Sequence, residues 1–138
     1  MKRPASLHAQ DGMFLLQSVV ALALFSVGAL AVVALSANAK RQAVDAHYRT
    51  EASVLAAQLA AQMRLGPREA SVLMQHYGAQ GAGLAGFNAA AAQFLPGVAS
   101  HPPAITVDSA GNVVITVRWQ APGETSTHQY VAATRIVD

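Results

Sequence analysis

The sequence contains no cysteine. That absence excludes disulfide scaffolds, thiolate zinc sites, iron–sulfur ligation and cysteine nucleophiles, and it leaves the redox compartment open. Charge is scarce as well. Nine Lys and Arg with seven Asp and Glu make 12% of 138 residues, about half of the roughly 25% usual in a soluble domain. The basic residues stand singly or in the pairs Lys2-Arg3 and Lys40-Arg41. No basic block is interleaved with aromatics, so the footprint of nucleic-acid binding is missing. Between Met13 and Arg64 there is no proline, and the single glycine is Gly28. What the chain does have is apolar surplus: 53% hydrophobic residues and a mean hydropathy of +0.32.

That surplus sits in one place. Met13 to Ala37 reads MFLLQSVVALALFSVGALAVVALSA, 25 residues without a charge. A bilayer core needs about 20 such residues as a helix. Thirteen of them are Leu, Val or Phe, which together favour insertion by about 4 to 8 kcal/mol. Of the polar exceptions Gln17, Ser18, Ser26 and Ser36, the serines are able to bond back onto their own helix. A chain this short cannot wrap a core helix that is apolar all round, so the run reads as a membrane span. Ala37-Asn38-Ala39 offers a secretory cleavage motif behind the basic Lys2-Arg3, but a secretory apolar region is typically about 7–15 residues. Orientation is tied on the positive-inside test, with Lys2 and Arg3 on one side against Lys40, Arg41 and Arg49 on the other.

Residues 40–64 follow without a break. Val44, Tyr48, Leu55, Leu59 and Met63 keep one stripe on a helix, and Arg41, Asp45, Arg49, Glu51, Gln58 and Gln62 are expected opposite it. The pattern predicts one continuous helix of about 52 residues, roughly 78 Å long, stopped by Gly66-Pro67. Pro67 to Tyr77 reads as a short helix with Pro67 in its first position. Residues 78–87, with four glycines, read as a loop, and Asn88 as the cap of a helical turn that Pro96-Gly97 ends. Three strand-like runs come last, at 104–108, 113–120 and 127–137. In the second, Val113, Ile115, Val117 and Trp119 share a face. Short turns make these runs an antiparallel meander over 104–137, for which Val44, Tyr48, Leu55 and Leu59 are the expected cover, with Trp119 and Tyr130 filling the core. The fold class is α+β.

The junction at 10–18, Q-D-G-M-F-L-L-Q-S, places a short polar leader and a glycine directly before the apolar helix. It resembles the prepilin signal of type IV pilins and type II secretion pseudopilins. Together with the long helix and the C-terminal meander, the likeness covers the whole chain. Within that superfamily the sequence is most similar to minor pilins of the pilus modification (PilV) type, through VALALFSVGALAVVAL, YRTEASVLAAQLAAQMR, FNAAAAQFLPG and GNVVITVRWQAPGE…HQYVAATRIV. The resemblance implies a leader over 1–12, cleavage by prepilin peptidase between Gly12 and Met13, and N-methylation of Met13. It implies a transmembrane half at 13–39, an amphipathic half at 40–65 and a small globular region at 66–138. It further implies a single-pass inner-membrane protein with a periplasmic C-terminal domain that reaches the pilus or cell surface after assembly. Its partners would be other minor pilins, the major pilin, the inner-membrane assembly platform and the lipid bilayer, with no cofactor and no nucleic acid.

Two features depart from the family. Gln17 stands at the fifth mature position, where relatives carry a glutamate thought to pair with a neighbour's amino terminus, and the disulfide cysteines of many relatives are missing. Glutamine keeps an acceptor but no charge, which suits either drift or a subunit that lacks a neighbour at that contact, as at a tip. Nothing catalytic stands beside this. His8, His47, His76, His101 and His128 lack metal spacing. Asp108, Ser109 and His128 lack a nucleophile elbow, and Gly81-Ala82-Gly83 with Gly86 lacks the strand and lysine of a phosphate loop. The expected function is therefore structural: a minor pilin in type IV pilus assembly or initiation, and so in pilus-dependent motility or adhesion. The alternatives are a type II secretion pseudopilin and a membrane-anchored periplasmic binding domain.

Overall fold

The computed structural model describes the backbone of residues 7–136 and the side chains of residues 12–136. Residues 1–6 of the expected leader, including Lys2-Arg3, lie outside the described residues, as do the His8 side chain and Val137. The described chain is a long helix followed by two short helices and a three-stranded antiparallel sheet, an α+β arrangement. It divides into two compact units, Met1–Gln42 and Ala43–Asp138.

Helix α1 (Leu7–Leu65) is continuous through the boundary between the units. It begins before Met13, because Gly12 costs a helix only about 1 kcal/mol against alanine and no proline follows until Pro67. In the first unit every side chain from 12 to 42 is exposed, including large apolar ones such as Phe14, Leu15, Leu24 and Phe25. Ser18 and Ser26 donate to the carbonyls of Phe14 and Leu22 at 2.8 Å, so their hydroxyls are satisfied without water. This is one helix long and apolar enough to cross a membrane.

The second unit contains the core. Ala52, Leu55, Ala56, Leu59 and Met63 of α1 are buried together with Leu73, Leu84, Phe87, Ala91 and the inward side of the sheet. Strand β2 (Asn112–Trp119) lies between β1 (Ala104–Val107) and β3 (His128–Arg135), antiparallel to both. Val113, Ile115, Val117 and Trp119 are at most 2% exposed, as a central strand with one covered face requires.

Between α1 and the sheet, two expectations fail. Helix α2 (Ala70–Tyr77) starts three residues after Pro67. Arg68 Nε donates to the Arg64 carbonyl at 3.2 Å, which caps the end of α1 and holds residues 66–68 in the connection. Residues 82–87, expected as loop, belong to helix α3 (Ala82–Phe94), and Asn88, expected as a cap, lies inside it. Leu84, Phe87 and Ala91 are spaced to bury one face, and that burial outweighs the cost of two helical glycines. The glycines serve close packing. A Cβ on Gly83 would stand 2.6 Å from the rings of His76 and Tyr77, and one on Gly81 would collide with the His76 carbonyl.

Candidate functional site

The residues singled out at the junction lie on α1. Gly12, Met13 and Gln17 are all exposed, and space for a Cβ on Gly12 is open. Gly12 and Met13 share one turn and Gln17 stands on the next, beside Phe14, Leu15 and Leu16, so the one amide of the run is surrounded by apolar side chains. Small residues Ala21, Ser26, Gly28 and Ala29 follow on the same helix.

Of the expected packing residues, Leu55, Leu59 and Trp119 are buried and Tyr48 is half-buried against them. Val44 is the correction, at 44% exposed. It has the right helical phase but lies beyond the sheet, because Asp45 already sits opposite His128, the first residue of β3. Asp45 is accordingly turned toward the sheet, where the helical pattern placed it on the opposite face. Ala52 and Ala56, which the pattern passes over, are almost wholly buried. Alanine carries too little apolar signal to mark a face.

One polar cluster was not legible from spacing. His128 Nε2 donates to Glu124 Oε2 at 2.7 Å, and His128 Nδ1 is 3.4 Å from Asp45 Oδ1. The imidazole stacks on the indole of Trp119, with centroids 5.7 Å apart and planes at 16°. The two carboxylates take opposite ring nitrogens, so the three groups do not converge on one point. Among the described residues no group of three His, Asp or Glu is placed to hold a metal. Glu124 and His128 tie the β2–β3 turn to the start of β3, and Asp45 of α1 lies beside the same ring with no hydrogen bond to its Oδ1. Farther along, Arg64 Nη2 donates to Thr134 Oγ1 at 2.7 Å and ties α1 to β3. Glu124 and His128, four residues apart across a turn, are the one part of this cluster with a local signal.

Asp108 closes the β1–β2 turn. Its carboxylate accepts from the Asn112 amide side chain at 2.7 Å, from the Asn112 backbone at 2.8 Å and from Ala110 at 2.9 Å. The Asn112 side chain first, then the backbone donors, hold this carboxyl below its usual value of 3.8. Ser109 and His128 are not among its partners, so the three residues form no catalytic triad.

Two shallow hollows share Gln62, His76 and Tyr77, one of about 340 Å³ toward Met63 and Leu73, the other of about 280 Å³ toward Leu59 and Phe87. Neither gathers an acid, a base and a nucleophile. Compared with family models, curated proteins and solved structures, the chain matches none.

Proposed function

We propose that this chain is a minor subunit of the type IV pilin class, of the pilus modification (PilV) type, which takes part in starting or capping a pilus. One observation carries the reading. An apolar, wholly exposed run that begins directly after Gly12 continues without interruption into the helix whose residues 52–63 cover a three-stranded antiparallel sheet. A helix of that double nature suits a subunit that waits in lipid and later exchanges lipid for the helices of its neighbours. Both environments are apolar, and small residues such as Ala21, Gly28 and Ala29 permit close approach. Prepilin peptidase would remove residues 1–12 and methylate Met13, leaving the span as the subunit's permanent anchor. Gln17 offers no charge to a neighbour's amino terminus, so the subunit suits low copy number better than a repeating shaft.

Replacing Gly12 tests the processing step. In cells that make pili, Gly12→Arg should leave residues 1–12 attached and keep the protein out of sheared fibres. A Gly12→Arg protein with the same mature mass as wild type would sink the proposal.

A further inference from the structure

A third hollow lies at the start of β1, and unlike the other two it holds a permanent charge. Pro102 and Pro103 have no N–H to give, so the β1–β2 ladder begins only at Ala104↔Thr116. The same register, carried two residues outward, sets Arg118 across from Pro102. Arg118 Nη1 accordingly donates to the Pro102 carbonyl at 3.4 Å, a long bond. Helix α3 brings Leu84 and Asn88 to this corner. With Pro102, Pro103, Ile105 and Arg118 they line an open hollow of about 380 Å³. Among the described residues Arg118 is the one charged group in its wall.

The wall has donors to spare and no acid to take them. Arg118 is half-buried, yet among the described residues no carboxylate pairs with it. Its long bond to Pro102 leaves most of the five guanidinium N–H groups without a protein acceptor. The Asn88 side chain makes no hydrogen bond among the described residues, and its Oδ1 is shut off from solvent, which leaves Nδ2 as the end a ligand can meet. A cation partly withdrawn from water without a counter-ion is costly, and an anion seated in the hollow would remove that cost.

The charge and the walls set the chemistry of the guest. One guanidinium balances one negative charge, so a phosphate dianion would stay half neutralised. A planar carboxylate takes two parallel bonds from the guanidinium fork. Leu84, Pro102, Pro103 and Ile105 offer apolar contact to whatever body carries it. An acidic side chain of a protein has too few methylenes to use those four walls, and a free acid fits them better. We infer that this hollow binds a small organic acid, a monocarboxylate on a compact apolar body, with Arg118 as counter-ion and Asn88 as a second donor. The site lies within residues 79–118 and stands whether or not residues 1–12 are removed from the chain.

The test uses the full chain in a nonionic detergent, with benzoate as the probe and backbone amide chemical shifts as the readout. The amides of Asn88, Ile105 and Arg118 should shift saturably. Benzamide has the same shape without the charge, and acetate has the charge without the ring; each should bind at least about tenfold more weakly than benzoate. Arg118→Met keeps most of the apolar stem and should weaken benzoate by about tenfold or more, and Asn88→Ala should weaken it by a smaller factor. If the Met variant loses its fold, Arg118→Lys serves, since it keeps the charge and loses the fork; benzoate binding equal to wild type in that variant contradicts the assignment. No saturable shift at the three amides overturns the proposal, and so does equal binding of benzoate and benzamide. Tighter binding of inorganic phosphate would also overturn it. So would tighter binding of a blocked peptide with one glutamate, which would give the hollow to an acidic side chain of a partner.

Discussion

Trp119 is 2% exposed, and its indole nitrogen has no partner among the described residues. Its contribution is therefore apolar contact plus the stack with His128. Removing that ring by His128→Ala should cost about 1 kcal/mol of stability, read by thermal unfolding, even though His128 lies at the rim. Leu59, 3% exposed beneath the sheet, is a larger case: Leu59→Ala should cost about 2–5 kcal/mol. Asp108 gives a dependence on acid. Its carboxyl is held below 3.8 in the folded chain, so its hydrogen bonds stabilise above that pH and are lost as pH falls through the lowered value. Asp108→Ala should then reduce the melting temperature at neutral pH, and the difference from wild type should vanish in strong acid. Gln17 belongs to the proposed assembly. A carboxylate at residue 17, about 6 Å inside the start of the span at 1.5 Å per residue, is disfavoured in apolar surroundings unless it finds a partner, so Gln17→Glu should raise the copies of this protein per sheared pilus. An unchanged copy number would mean that position 17 has drifted without effect.

At the scale of elements, α3 is held by what it touches more than by its own sequence. Gly81 precedes it in extended backbone, and a Cβ there would collide with the His76 carbonyl. Gly81→Ala should therefore destabilise the domain by about 2 kcal/mol, and alanine is also the poorer residue at this N-cap position. Equal or greater stability in urea unfolding would show that the α2–α3 approach is not tight. The same element explains where sequence reading stops. Strand β2 was legible because Val113, Ile115, Val117 and Trp119 alternate strictly, and α1 because no breaker interrupts a long apolar run. Helix α3 was not, because four glycines within ten residues speak for a loop and only packing against α1 and α2 speaks against it. The Asp45–His128 contact joins residues far apart in the chain, and no spacing rule reaches across that gap. The helical phase of Val44 points toward the core, yet the residue is exposed. Phase gives direction around a helix and says nothing of where the sheet ends.

For the whole molecule, a single helix carries two kinds of surface. Its residues 12–42 expose apolar side chains, and its residues 52–63 bury them in the second unit. A chain beginning at Lys40 should therefore be soluble and folded, whereas one beginning at Pro67 loses Leu55, Leu59 and Met63 and should fold poorly, as judged by circular dichroism and urea titration. Equal stability of the two would show that the sheet does not depend on α1. The central claim, that residues 13–39 are the permanent anchor of a processed pilin-class subunit, is tested most directly by the mass of the mature amino terminus from the producing cell. A chain that begins at N-methylated Met13 is the predicted result. A mature terminus at Lys40 would contradict it, because the apolar run would then be a secretory signal cut away at Ala37-Asn38-Ala39.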